Sequence, residues 1–206
     1  VITFVNRTFE PYRGIHRFMR ALPELQRACP QAEIVLIGHD SPKVSYGSGR
    51  KDGRGWLSAL RDELQGQLNW ERIHPLGRVK KSVFLSALQV SSAHVYFTYP
   101  FVLSWSLLEA MATECLVIGS RTAPVQEVIE HGRNGLLVDF FDTAGLSNTL
   151  IAALRQPERF TPLRQAARRS VLERYELEHC QSRLLKLVDA VAAGVLSPES
   201  PTGLRS

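Results

Sequence analysis

Short, unbroken apolar runs recur along this chain, separated by stretches of helical period, and this alternation constrains the fold more than any other feature. VITFV, IVLIG, LVIG and GLLV carry no polar face, as expected of strands buried on both sides in a parallel sheet. Strands are expected over Val1–Val5, Glu33–Gly38, Arg72–Gly77, His94–Tyr99, Leu116–Gly119 and Gly135–Val138. Helices are expected over Gly14–Ala28, Trp56–Leu68, Lys80–Ser92, Trp105–Thr113, Val125–His131 and Thr143–Arg155. A parallel strand must be reached by a crossover, and each crossover helix packs back on a face of the sheet. The pattern therefore predicts an α/β fold: a Rossmann-like, doubly wound parallel sheet of about six strands with helices on both faces. Beyond Arg155 only helical spacing remains, with a break expected near Tyr175, so C-terminal helices follow the sheet. Residues 194–206, small, polar and Pro-containing, read as a flexible tail after a domain spanning 1–193.

The chain has 206 residues, 44% of them hydrophobic, enough for one buried core. No apolar run is long enough to span a bilayer and no signal peptide opens the sequence. The first residues fall inside a strand without a starting Met, so the expectation is a piece of a longer protein. Cys29, Cys115 and Cys180 have neither metal-ligand nor redox spacing, and the six histidines form no cluster. Buried thiols in a reducing compartment, hence a cytoplasmic protein, and no bound metal are the expectations. The net charge of +5 suits anionic partners: phosphates, acidic lipid headgroups at the cytoplasmic face of a membrane, or nucleic acid. Nucleic acid is set aside because no basic helix carries interleaved aromatics.

Three stretches and one loop carry candidate chemistry. In NRTFEPYRGIHRFM, Arg7 follows the first strand and Arg13 precedes Gly14, where a helix should begin. A helix N-terminus beside a guanidinium suits an anion; alternatively, Glu10 pairs with either arginine. In PFVLSWSLLEAMA, Glu109 is the only charged side chain from Ser82 to Thr113 apart from His94. It either closes a capping box with Ser106 as N-cap or accepts two hydrogen bonds from a vicinal diol such as a ribose. In the second case the N–H groups of Leu103, Ser104 and Trp105 would face a diphosphate. In SRTAPVQEVIEHGRNGLLV, Thr122 sits in a strand-to-helix loop that either touches phosphate or sugar or is simply a well-formed turn. The loop Ser41–Gly55, with four glycines and four basic residues, emerges at the ligand-binding end of the second strand; a mobile surface loop is the other reading.

Together and in order, these stretches resemble the C-terminal donor-binding domain of the family-4 glycosyltransferases, which have the GT-B fold. The resemblance covers most of Val1 to Leu154 and is most specific from LLEAMA to NGLLV. It implies that Arg7 and Arg13 bind the donor's diphosphate, with Arg13 and Gly14 at the family's lysine-glycine position, one residue late. It implies that Glu109 holds the nucleotide ribose and that Gly77, Arg78 and Val79 line the nucleobase. Leu103, Ser104 and Trp105 then approach the diphosphate, and Thr122 stands where relatives have paired glycines. Two departures are visible. Phe101 replaces the first glutamate of the family's pair, and Val102-Leu103-Ser104 replaces Gly-Phe-Gly.

The resemblance further implies a bacterial-type enzyme of polysaccharide or glycan biosynthesis. Its donor would be a nucleotide-diphosphate sugar, with no metal or other cofactor, transferred with retention to a glycan or lipid-linked acceptor held by an N-terminal domain. Arg7, Arg13 and Glu109 would carry catalysis, and this chain alone would bind donor yet transfer little. The alternatives are a non-catalytic nucleotide-sugar binding module, or a GT-B epimerase or phosphorylase.

Overall fold

The computed structural model describes residues 1–195. Six strands, β1 (Ile2–Thr8), β2 (Ile34–His39), β3 (Ile73–Gly77), β4 (Ala93–Tyr96), β5 (Val117–Ser120) and β6 (Leu136–Val138), form one parallel sheet in the order β3-β2-β1-β4-β5-β6. The chain thus builds outward from β1, then returns to lay β4 against β1's free edge. Ile2 lies opposite Ile34 on one side and Ala93 on the other. Ile2, Phe4, Ile34, Leu36, Val95 and Ile118 are buried, as two-sided coverage by helices requires.

The connections are α1 (Ile15–Ala28), α2 (Trp56–Glu63), α3 (Lys81–Gln89), α4 (Trp105–Ala112) and α5 (Ala123–Gln126), followed after β6 by α6 (Thr143–Arg155). α1 buries Ile15, Phe18, Met19, Leu22 and Leu25 along one stripe and packs on α6, where the Ser147 hydroxyl donates to the Ala21 carbonyl at 2.8 Å. Residues 1–168 form one compact unit and residues from 169 onward a second. α7 (Thr161–Arg174) and α8 (Leu177–Ala192) are separated at Tyr175–Glu176, as the sequence pattern predicts. Of the expected tail, Gly194 and Val195 follow α8, and the rest lies outside the described residues.

Several expected elements differ in extent, with β1 running on to Thr8, α2 ending at Glu63 rather than Leu68 and α3 ending at Gln89 rather than Ser92, and two differences bear on the ligand edge. The helix anticipated over Val125–His131 is instead a single turn, Ala123–Gln126. Asn134 competes for the backbone just beyond it: its Oδ1 accepts from the Glu130 N–H at 2.8 Å and its Nδ2 donates to the Val128 carbonyl at 3.1 Å. β4 stops at Tyr96 rather than Tyr99, because the following amides find partners outside the ladder. The Thr98 N–H donates to the Ser120 hydroxyl (3.0 Å) and the Tyr99 N–H to the Tyr12 carbonyl (2.9 Å). These bonds turn the chain upward at the carboxyl end of the sheet, beside the β1–β4 switch point where ligands of open α/β sheets bind.

Candidate functional site

A cleft of about 630 Å³ opens at the carboxyl ends of β1, β2 and β3, with the start of α4 as its far wall. Its floor exists because Gly38 lacks a side chain: a Cβ there would lie 2.4 Å from the Asn6 carbonyl oxygen, and φ is +154°. Arg7, at the end of β1, and Arg78, just past β3, are basic residues of its lining, and Lys81 adds a third from the first turn of α3. Val5, Ile37, Val79, Phe84 and Trp105 supply apolar surface.

Among the described residues Glu109 is the one acidic residue lining this cleft, and it forms an ion pair with the Lys81 ammonium. The expected capping box is corrected here. The N-cap of α4 is Ser104, whose hydroxyl accepts from the Ser106 N–H (3.4 Å), so Ser106 lies inside the helix and Glu109 begins its second turn. The cause lies below the loop: the Tyr96 hydroxyl accepts the Ser104 N–H at 2.6 Å and holds Ser104 extended, which fixes where the helix can begin. Burial pushes the Tyr96 phenol up, against opposing effects of that bond and of Arg13. Of the three amides expected to face a diphosphate, that of Ser104 is therefore already engaged.

Arg13 takes a different course from Arg7. It ends a 3-10 turn, Pro11–Arg13, and its guanidinium folds inward, leaving the residue 9% exposed. Nη1 donates to the Val102 carbonyl at 2.8 Å and reaches the Thr98 hydroxyl at 3.5 Å. The guanidinium carbon lies 5.2 Å from the Phe101 ring centroid and 5.5 Å from that of Tyr46, a cation set against a pair of adjoining rings. Gly14 follows at φ +74°, where a Cβ would stand 2.5 Å from the Phe97 Cβ. Thr122 is buried as the N-cap of α5, its hydroxyl 3.5 Å from that of Ser120.

The cleft thus gathers Arg7, Arg78, Val79, Ser104, Trp105 and Glu109; Arg13, Gly14, Leu103 and Thr122 lie outside its lining. Sequence reasoning missed Lys81, although RVKK at the ligand-side start of a helix was a visible signal. It also missed what Glu10 does. That carboxylate, 1% exposed, pairs with neither arginine and accepts the N–H groups of Ser45 (2.7 Å) and Tyr46 (3.1 Å). Asp40 accepts the Leu57 and Ser58 amides at the start of α2, so the Ser41–Gly55 loop is tied near its entry and just beyond its exit. Tyr46 consequently lies on Phe101, their centroids 4.5 Å apart. Among the described residues, no group of three or more His, Cys, Asp and Glu is arranged to hold a metal, and no helix is long and apolar enough to cross a membrane.

A family model described as Glycosyl transferases group 1 matches residues 1–156. A phosphatidyl-myo-inositol mannosyltransferase from Mycobacterium leprae is 27% identical over 198 residues, 93% of this chain and 46% of that protein. The chain therefore spans about half the length of that relative. Its fold is that of the Anabaena protein HepE, solved in complex with UDP-glucose: TM-score 0.77, 16% identity, 92% of this chain and 48% of that one. It is also that of the C-terminal domain of the glycosyl transferase group 1 family protein LpcC from Francisella tularensis: TM-score 0.72, 17% identity, 85% and 86% coverage.

Proposed function

Since this chain belongs to the group 1 glycosyl transferases, we propose that its cleft is the half-site that holds a nucleoside-diphosphate sugar for transfer. One observation carries the reading: three cationic residues and, among the described residues, a single acidic one line the cleft where strand ends meet the start of α4. In this reading the Glu109 carboxylate accepts both ribose hydroxyls, and Lys81 turns from Glu109 to the diphosphate. Arg7 takes the diphosphate directly, with the Trp105 amide at the positive end of α4. Arg78 and Val79 border the base. Arg13 contributes its charge from beneath the 100–104 loop, and Gly14 and Thr122 shape the neighbouring strand ends.

In the longer protein, the bond from the anomeric carbon to the diphosphate oxygen breaks while a bond to an acceptor hydroxyl oxygen forms on the same face, and the hydroxyl proton passes to the departing diphosphate. The charge appearing on the departing diphosphate is offset by fixed cations, with no reorganisation needed at that moment. The acceptor, a glycan or lipid-linked sugar, belongs to a second domain, and this chain alone binds donor and transfers little. A bacterial polysaccharide or glycan pathway suits the relatives. A second reading, a binding module without transfer, is favoured by the ring of Phe101, which covers Arg13 and has no hydrogen-bond acceptor for a sugar.

Calorimetry with UDP, GDP and ADP tests the binding step. At least one should bind, and Arg7→Ala and Glu109→Ala should each weaken it by about 10- to 100-fold, the loss of a charge-assisted hydrogen bond. Binding of none of the three, or indifference to both substitutions, sinks the proposal. Turnover of a radiolabelled nucleotide-sugar by the full-length protein separates transferase from passive module.

A further inference from the structure

On the other side of the Tyr99–Ser104 segment lies a second, smaller hollow of about 310 Å³. It is lined by Pro11 and Tyr12 from the β1–α1 connection, His16 from the first turn of α1, Tyr99 just past β4, and Phe140 and Phe141 just past β6. Its volume is at the lower end of those of small-molecule sites, which combine apolar walls with a few polar groups. We propose that this hollow seats a pyranose ring. The choice of a sugar rests on the transferase reading above; the shape and chemistry rest on the residues themselves.

Three rings meet there nearly at right angles: Tyr99 to Phe140 at 77°, Tyr99 to Phe141 at 88°, and Phe140 to Phe141 at 83°. A planar ligand such as a nucleobase stacks on one face of such a corner and leaves the others uncovered. A puckered saturated ring presents C–H groups in several directions, each able to meet the negative face of a different ring. Its hydroxyls project from the rim, where polar partners are needed. The phenol groups of Tyr12 and Tyr99, the half-exposed tyrosines of the lining, are available for that; His16 Nδ1 itself is shielded from solvent and has no hydrogen-bond partner. Burial first, then the nearby Arg17 and Arg20, lower its pKa to about 4, so at neutral pH the ring is uncharged, with one nitrogen donating and one accepting. A sugar hydroxyl, both donor and acceptor, matches the two phenol groups. Arg17 stands 4.7 Å from the Phe141 ring centroid and steadies that wall, and Tyr12 reaches Phe101 edge-on, linking the hollow to the cleft side. Tyr12 and Tyr99 are each 43% exposed and Phe141 55%, open enough for a ligand to reach them.

The sugar can arrive on the nucleotide or as a free glycoside, and NMR titration of the 206-residue chain separates the two. The probes are methyl α-D-glucopyranoside, methyl α-D-mannopyranoside, N-acetylglucosamine, UDP, UDP-glucose and, as an apolar control, cyclohexanol. A free glycoside should give saturable shifts of the Tyr99, Phe140 and Phe141 ring signals. If the sugar comes with the donor, UDP-glucose should move those signals and UDP should not. Either result supports the hollow as a sugar site. Phe141→Ala, and the fuller Phe141→Leu, should weaken that response by about tenfold and leave UDP affinity unchanged. The proposal is overturned if no glycoside or nucleotide-sugar gives a saturable, Phe141-dependent response, or if cyclohexanol matches the sugars. Failure of UDP to bind bears on the donor cleft alone, because the free glycosides report on the hollow independently.

Discussion

Arg7 and Arg13 leave the same strand end and meet opposite fates, and so do the regions they enter. Around Arg7, charged residues line an open cleft, and the Lys81 side chain that pairs with Glu109 is 61% exposed. Around Arg13, rings press on rings from Tyr46 through Phe101, Tyr12 and Tyr99 to Phe141, and even the guanidinium is used as a packing element. The difference teaches where each kind of damage should register. Changes on the charged side should alter binding and spare stability, since exposed ion pairs contribute little. Changes on the aromatic side should alter stability first, because packing there is close and polar groups are buried.

The sharpest way to break this contrast is Gly14→Ala. The left-handed backbone and the 2.5 Å approach to the Phe97 Cβ both oppose a side chain. We expect a loss of about 3 kcal/mol, lowering Tm by roughly 6–12 °C in a thermal melt. A near-unchanged Tm would mean the aromatic side is not packing-limited. Next comes the pair Arg13→Met and Arg7→Met. Arg13 gives up its bond to the Val102 carbonyl and its place against two rings, about 2 kcal/mol in urea unfolding. Arg7→Met should stay within about 0.5 kcal/mol; equal losses would erase the distinction.

Acidification offers a third test. The folded-state pKa of His16 is about 4 against 6.5 in the unfolded chain, so the unfolded chain takes up the proton first as pH falls. The stability this neutral imidazole contributes is complete above pH 6.5 and is lost progressively down to pH 4. Because the side chain is partly exposed, we expect roughly 1–2 kcal/mol over that window. His94, buried in the core with its pKa also lowered to about 4, acts with the same sign. Unfolding curves of His16→Gln should therefore be flatter with pH than wild type without becoming flat. The smallest effect belongs to Lys81→Ala, less than about 0.5 kcal/mol by urea unfolding; a larger loss would mean that the charged side carries structural weight after all.

Much of this architecture was legible in the sequence because burial on both faces writes continuous apolar runs, and four of the six strands, β1, β2, β5 and β6, lie where those runs fall. What could not be read depends on partners distant in sequence. Ser104 and Ser106 are equally good caps by composition, and only the Tyr96 hydroxyl beneath the loop decides between them. Glu10 looks like a surface partner for an arginine until the Ser45 and Tyr46 amides arrive from another connection. Asn134 shortens a helix whose own residues suit one well. At the candidate site, Arg7, Arg78 and Glu109 lie in one cleft because each occupies a strand end or a helix start. Arg13 lies outside it because aromatic rings from two other segments enclose it. The adjacent phenylalanines of VDFFD, just past β6 on the ligand edge, were a signal that went unused.

The ties made by Glu10 and Asp40 have a practical consequence. Because both anchors sit near the ends of the Ser41–Gly55 segment, its tip, Lys51–Gly53, is exposed and carries neither tie. That tip is a natural splice point, where a reporter group or a longer insert can be added while the strand ends beneath keep their places.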